Sequence, residues 1–215
     1  MDSPLRLPRL RPDAPVTPAS LIDAGAAPIP LTEYRPLPGT AAGTVRAGWR
    51  GASLHLAADL ERRDPFTHST ADRQQLWRLG DCFEIFLKRL DADSYIEFHV
   101  TPAGHRLQLR FPSQRSRGEQ SRSPEETIRD FLLPEPTFRA TAAVRPDRSG
   151  WTVAAEIDLA ALGMAAGELA GERFAFSFCV CNFTRKPFYQ ASTSRLAVLD
   201  VHLHDQWRQL ECAAD

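Results

Sequence analysis

Glu84, Glu97 and His99 are the residues whose types and spacing could do chemistry together. Side chains alternate along an extended chain, so in the run CFEIFLK the residues Cys82, Glu84, Phe86 and Lys88 share one face. Phe83, Ile85 and Leu87 share the other. In YIEFHV, Tyr95, Glu97 and His99 lie opposite Ile96, Phe98 and Val100 by the same rule. Laying the two runs side by side would gather both carboxylates and the imidazole. Carboxylates about 5 to 10 Å apart are what glycoside hydrolysis needs of its acid and base. The same pair would equally serve as cross-strand partners of Lys88 or His99 on a sheet surface. Trp77 and Asp81 stand just ahead of the first run, an aromatic and a carboxylate at its entrance.

Other groupings are weaker. His202 and His204 share a face if extended, as do Cys179 and Cys181, and adjacent strands carrying them would offer four soft ligands for zinc. Such i, i+2 pairs arise freely in alternating strands, and a buried free cysteine behaves as a small hydrophobe, so no metal site is assigned. Asp91 and Asp93, in the loop between the two runs, could hold a structural calcium, but the loop lacks a dedicated ligand series. Met164 has no evident partner histidine for haem ligation. No cofactor is therefore expected. Cys179 and Cys181 are too far apart along one strand face for an unstrained disulfide, which points to reduced thiols.

The elements that must position these groups are mostly strands. Residues 1 to 40 carry many of the 17 prolines and read as an extended N-terminal arm, partly ordered. Two strands follow in TVRAGWRGASLHLAADL, and a polar loop, ERRDPFTHSTADRQQ, leads to Leu76. After RLQLRFP, the stretch SQRSRGEQSRSPEE reads as an exposed loop. Thr137 to Val144 and Trp151 to Ile157 form a hairpin, with Trp151 facing the core. LAALGMAAGELAGE reads as the best short helix and Gly-rich turn, RFAFSFCVCNFTR as a strong strand, and RLAVLDVHL with QWRQLEC as a closing strand pair. Many short strands and little helix predict an all-β fold, an antiparallel sandwich of jelly-roll or immunoglobulin-like kind with one or two short helices, as one domain over residues 41–215.

Composition narrows the function classes. The 26 basic and 27 acidic residues nearly cancel, so no overall field favours nucleic acid or an anionic membrane. The three arginines in SQRSRGEQSRSPEE have no stacking aromatic interleaved, so no nucleic-acid partner is expected there. No apolar run of spanning length and no secretory h-region is evident, so a cytoplasmic location and no membrane partner are expected.

The order of LW-x-x-GD-x-FEIFL (Leu76–Leu87), YIEFHVTPAG (Tyr95–Gly104), GWTVAAEIDLAALG (Gly150–Gly163), the stretch from Gly171 through CNFTR to FYQAS, and the ending LDVHLHDQWRQLEC resembles the family 9 carbohydrate-binding modules and the wider DOMON-like sandwiches. The likeness spans residues from about 44 to 212, and it rests on order and spacing rather than on any single motif. It implies a sandwich that holds a mono- or oligosaccharide in a cleft without catalysis. A pyranose packs its C–H face on aromatic planes and presents its hydroxyls to charged and amide groups. By position, the resemblance implies Trp77 and Trp207 as stacking residues and Glu84 as hydroxyl acceptor. It implies His99, Thr101, Asn182, Tyr189 and Gln190 as a polar wall. Two departures stand out: the modules' usual opening strand with an Asp-Gly pair is not evident in the first 40 residues, and His99 and Thr101 stand where sugar-binding members carry Arg and Asn. A sandwich that has lost its sugar and serves as a protein-interaction module is the alternative reading, and a glycoside hydrolase using Glu84 and Glu97 is the remote one.

Overall fold

The computed structural model describes residues 3–13, 15–33, 42–118, 124–133, 137–186, 188–194, 196–198 and 200–214. Its strands are β1 (Leu5–Leu7), β2 (Ile29–Pro30), β3 (Thr32–Glu33), β4 (Gly43–Arg50), β5 (Ser53–Leu60), β6 (Cys82–Arg89), β7 (Tyr95–Val100), β8 (Arg106–Phe111), β9 (Phe138–Val144), β10 (Trp151–Asp158), β11 (Arg173–Asn182), β12 (Tyr189–Ser192) and β13 (Arg208–Cys212). Short helices are α1 (Pro18–Asp23), α2 (Gln114–Gly118) and α3 (Pro124–Phe131). The larger sheet runs β1-β13-β11-β6-β7-β8, with β12 on β11 and β3 on β12, and the smaller runs β2-β4-β5-β10-β9. Every pairing is antiparallel except β1 with β13. The expected all-β sandwich is thus the observed one. No helix among the described residues is long and apolar enough to cross a membrane.

The main core lies between the sheets. Phe83, Ile85 and Leu87 of β6 and Ile96, Phe98 and Val100 of β7 meet Trp49, Leu54, Leu56, Trp151, Val153 and Ile157 of the smaller sheet, all buried. The hairpin expected from sequence pairs in register, Trp151 with Val144, and the two strands expected ahead of the polar loop pair with each other, Gly43 with Leu60. The proline-rich N-terminal segment supplies strands to both sheets: Leu5–Leu7 pairs with Leu210–Cys212, and Ile29–Pro30 pairs with Val45 and Thr44.

The other face of the larger sheet departs from expectation in a way that matters for the site. Every residue of β7, and Cys82 to Leu87 of β6, is buried. A second apolar cluster covers this outer face, with Leu76, Phe86, Tyr95, Leu109, Phe111, Val201 and Trp207 packed together and α3 adding Ile128 and Phe131. One part of the chain expected to be something else contributes to this covering, and another leads into the helix that completes it. RLAVLDVHL, expected as a strand, forms turns in its described residues, with the Asp200 carboxylate accepting from the His202 backbone N–H. SQRSRGEQSRSPEE, expected as a loop, contains α2 and the start of α3; residues 119–123 lie outside the described ones. Of the short helix and Gly-rich turn expected in LAALGMAAGELAGE, the helix is absent and the turn is present: Leu159–Gly171 is a chain of turns. Gly163 adopts φ +65° after a single turn, which ends helical geometry, while Leu159, Leu162 and Leu169 still bury as a helix face would.

Gly80 sets the approach to β6. Its φ is +142°, and a Cβ there would stand 2.4 Å from the Phe66 carbonyl oxygen. Thr67 and Gly80 form a bridge, and the Asp81 backbone N–H donates to that same Phe66 carbonyl. Gly80→Ala is therefore expected to lower stability by about 2 kcal/mol, measurable as a shift of the urea midpoint, because strained backbone and a clash combine.

Candidate functional site

Trp77 is presented by a short 3-10 turn, Leu76–Arg78, that Leu79 closes by donating its N–H to the Leu76 carbonyl. Asp81, fully buried, anchors this segment: its carboxylate accepts from the Phe66 backbone N–H at 2.8 Å and from the Tyr189 hydroxyl at 3.2 Å, and Arg62 stands 3.5 Å away. The Arg62 guanidinium also lies 4.2 Å over the Tyr189 ring. At the end of β11, the Asn182 side-chain oxygen accepts from the backbone N–H groups of Thr184 and Arg185. This is an Asx-type turn, and it projects Phe183 outward. The Thr184 hydroxyl donates to the Arg78 carbonyl, tying that turn to the Trp77 segment.

Trp77 and Phe183 thereby come to line one pocket of about 310 Å³ on the outer face of the larger sheet. That volume lies at the small end of ligand sites, which run from about 300 to 1,000 Å³. Glu84, Glu97, His99 and Gln190 supply polar atoms to it, and Phe86 and Phe111 supply apolar wall.

Register explains the polar floor. Glu84 of β6 stands directly across from His99 of β7, and Phe86 across from Glu97. The His99 Nδ1 lies 3.2 Å from Glu84 Oε1, and its Nε2 lies 3.1 Å from Glu97 Oε2. Glu97 Oε1 is in turn 3.1 Å from His202 Nδ1, which is 3.3 Å from the Tyr95 hydroxyl. One imidazole therefore bridges two carboxylates, both buried, and a second imidazole closes the far side.

Burial by itself would strip the charge from these groups, but their partners outweigh it. Burial opposes protonation of His99, yet hydrogen bonding to Cys82 and Glu84, the Glu84 charge and the bond to Glu97 hold its pKa well above the ordinary histidine value. Burial would likewise raise Glu97, but the His202 and His99 imidazoles hold it far below the usual carboxylate range. Glu97 is therefore an anion clamped between imidazoles. A glycosidase general acid needs the opposite, a carboxyl held protonated near neutrality, so Glu97 does not suit the acid half of the pair considered from sequence.

The residues implied by the resemblance divide into three groups. Trp77, Glu84, His99 and Gln190 converge on the pocket; the Gln190 amide nitrogen also contacts Cys179 Sγ at 3.3 Å. Asn182 and Tyr189 pair with each other across β11 and β12 but point to the opposite sheet face, because they sit one residue out of phase with Cys181 and Gln190. Their part is to shape the turn bearing Phe183 and to hold Asp81. Thr101 is fully buried behind the pocket, 3.3 Å from the Ser69 hydroxyl. Trp207 is 7% exposed and donates its indole N–H to the Val201 carbonyl at 2.6 Å. It does not face Trp77 across the pocket but lines a neighbouring depression of about 620 Å³ together with Lys88, His204 and Arg208.

Sequence reasoning missed Phe183. The signal was present, an aromatic directly after Asn182 where β11 ends, but the alternation of β11 drew notice only to the residues before it.

The metal-ligand groupings come out differently as well. Asp91 is held by both guanidinium arms of Arg89, at 2.9 and 3.1 Å. Met164 is buried in the main core. His202 and His204 are engaged with the aromatic cluster around Tyr95 and Trp207. Among the described residues, Cys82, Glu84 and His99 are the His, Cys, Asp or Glu group of three close enough to share an ion. All four cysteines are free and buried.

No protein-family model matches the chain, and no curated protein matches it in sequence. Solved structures do match it in shape, at full length. A protein of Bacteroides uniformis ATCC 8492 described provisionally as carbohydrate-binding superposes with a TM-score of 0.75 at 16% identity, covering 96% of this chain and 97% of that one. A family 9 carbohydrate-binding module from Caldicellulosiruptor kristjanssonii in complex with cellotriose gives 0.64 at 12% identity, covering 99% and 95%. One from the same organism in complex with glucose gives 0.59 at 13% identity, covering 97% and 95%. The fold is that of the family 9 carbohydrate-binding modules.

Proposed function

We propose that this chain is a non-catalytic carbohydrate-binding protein that holds a sugar ring between Trp77 and Phe183. The observation that carries the reading is the pocket itself. Two aromatic side chains line it over a floor of charged and amide groups, within a fold shared with modules complexed to glucose and cellotriose. An aromatic plane takes the C–H face of a pyranose, while the Glu84 carboxylate accepts from hydroxyls and the Gln190 amide donates to them. Because Glu84 and His99 are already paired, little reorganisation is required when a hydroxyl arrives, which favours binding over flexible surface contacts.

Titration with glucose, cellobiose, cellotriose and a panel of other mono- and oligosaccharides, followed by calorimetry and tryptophan fluorescence, tests this. A saturable response to at least one sugar is expected. Silence across the panel would instead favour a sandwich serving as a protein-interaction module. Phe183→Ala is expected to weaken the best sugar about tenfold, as loss of one face of the stack should. Trp207→Phe should change sugar affinity less than twofold while costing about 1 kcal/mol of stability, through the lost hydrogen bond to Val201. Calorimetry and urea unfolding read these two effects separately.

A further inference from the structure

We propose that Cys82 Sγ, the Glu84 carboxylate and His99 Nδ1 form a binding site for one zinc-type transition-metal ion beneath the pocket. The inference does not depend on the sugar reading, since it rests on donors and distances alone. Cys82 and Glu84 are i, i+2 neighbours on one face of β6, and His99 faces Glu84 from β7, so two adjacent strands deliver the three donors. His99 Nδ1 lies 3.8 Å from Cys82 Sγ and 3.2 Å from Glu84 Oε1, and all three ligand atoms fall within 4.8 Å of one another. Around one tetrahedral zinc, with bonds of about 2.0 to 2.3 Å, such donors stand roughly 3.3 to 3.6 Å apart. Small side-chain adjustments, with release of the Cys82 thiol proton and the His99 Nδ1 proton to solvent, close the observed triangle onto an ion.

The surroundings match a metal-binding histidine. A ligating imidazole nearly always donates its other ring N–H to a carboxylate, a backbone carbonyl or water. His99 Nε2 has Glu97 Oε2 at 3.1 Å, and Glu97 is itself held by His202. This fixes the ring with Nδ1 turned toward Cys82 and Glu84. A donor set of one thiolate, one imidazole and one carboxylate selects zinc or cobalt over calcium or magnesium. Glu84 and His99 line the pocket and Cys82 does not, so the thiolate binds from the sheet side and the fourth position opens toward the pocket, where a water would complete the tetrahedron. Cys179 lies across from Glu84 and Cys181 across from Cys82, on β11. Cys179 is engaged by the Gln190 amide, and neither thiol belongs to the triad.

The test uses the full chain, reduced and freed of metal by chelation. Titration with cobalt(II) is expected to saturate at one equivalent, with a thiolate-to-cobalt charge-transfer band and the intense visible bands of tetrahedral cobalt. Zinc should displace the cobalt and stay bound through gel filtration. Binding without a thiolate band, or loss of zinc on the column, overturns the site. Cys82→Ser should abolish the band and Cys179→Ser should retain it; the reverse pattern overturns the ligand assignment. Should Cys82→Ser fail to fold, X-ray absorption on the zinc-loaded wild type decides: one sulfur at about 2.3 Å supports the assignment, and none or several refutes it. Sugar titration of the metal-free wild type is read independently, so a failed sugar reading and a failed metal site give different results.

Discussion

Glu97→Ala is expected to lower the unfolding free energy by about 3 to 5 kcal/mol, the range seen when one partner of a buried ion pair is removed. The carboxylate sits between two imidazoles, with Oε2 3.1 Å from His99 and Oε1 3.1 Å from His202, and the residue is 4% exposed. Its removal leaves His99, which Glu84 and its other partners keep cationic, with less compensation in a buried site, and it enlarges the pocket against Phe86 and Leu109. Glu97→Gln keeps the volume and one acceptor oxygen, enough for one of the two rings, so a loss of about 2 kcal/mol is expected instead. Urea unfolding with chelator present measures both without any contribution from bound metal. Equal losses for the two variants would mean that charge rather than packing holds this floor together.

Trp77→Ala should weaken sugar binding about 100-fold, close to 3 kcal/mol, with little change in unfolding midpoint. The argument is positional. Trp77 is half-buried on a short turn, its ring 5.3 Å from His99, so the indole is braced from behind and offers its remaining face to the pocket. A large, rigid aromatic of this kind loses little entropy on binding and contributes through both apolar area and polarisable surface. Phe183 is expected to matter less because it is smaller and rides on a turn held chiefly by the Asn182 side chain. Calorimetry on the two single variants and the double variant would show whether the aromatic faces act together, as a sandwiched ring requires.

These predictions turn on residues that differ in how visible they were beforehand. The cluster of Glu84, Glu97 and His99 was legible in the amino-acid order, because the period of two along a strand leaves no other face for these side chains. Trp77 was legible for a similar reason, as an aromatic at the entrance of the strand that bears Glu84. Phe183 was not, since a residue past the end of a strand points where its turn points. That turn is set by Asn182 Oδ1 capping Thr184 and Arg185.

Sequence by itself determined the sandwich, its hairpins and which side of each strand faces the core, since alternation and turn residues are local properties of the chain. Tertiary structure alone decided what lies over the outer face of the larger sheet. There α3 and the described turns between residues 196 and 207 bury a polar strand face that alternation leaves open, and burial turns three strand residues into a coupled ionic floor. Tertiary structure also decided the fates of Trp207 and of the Asn182–Tyr189 pair. Whether an aromatic plugs or lines a pocket, and whether a polar residue meets a ligand or a neighbouring carboxylate, depends on what distant segments bring to it, and local periodicity carries no record of that.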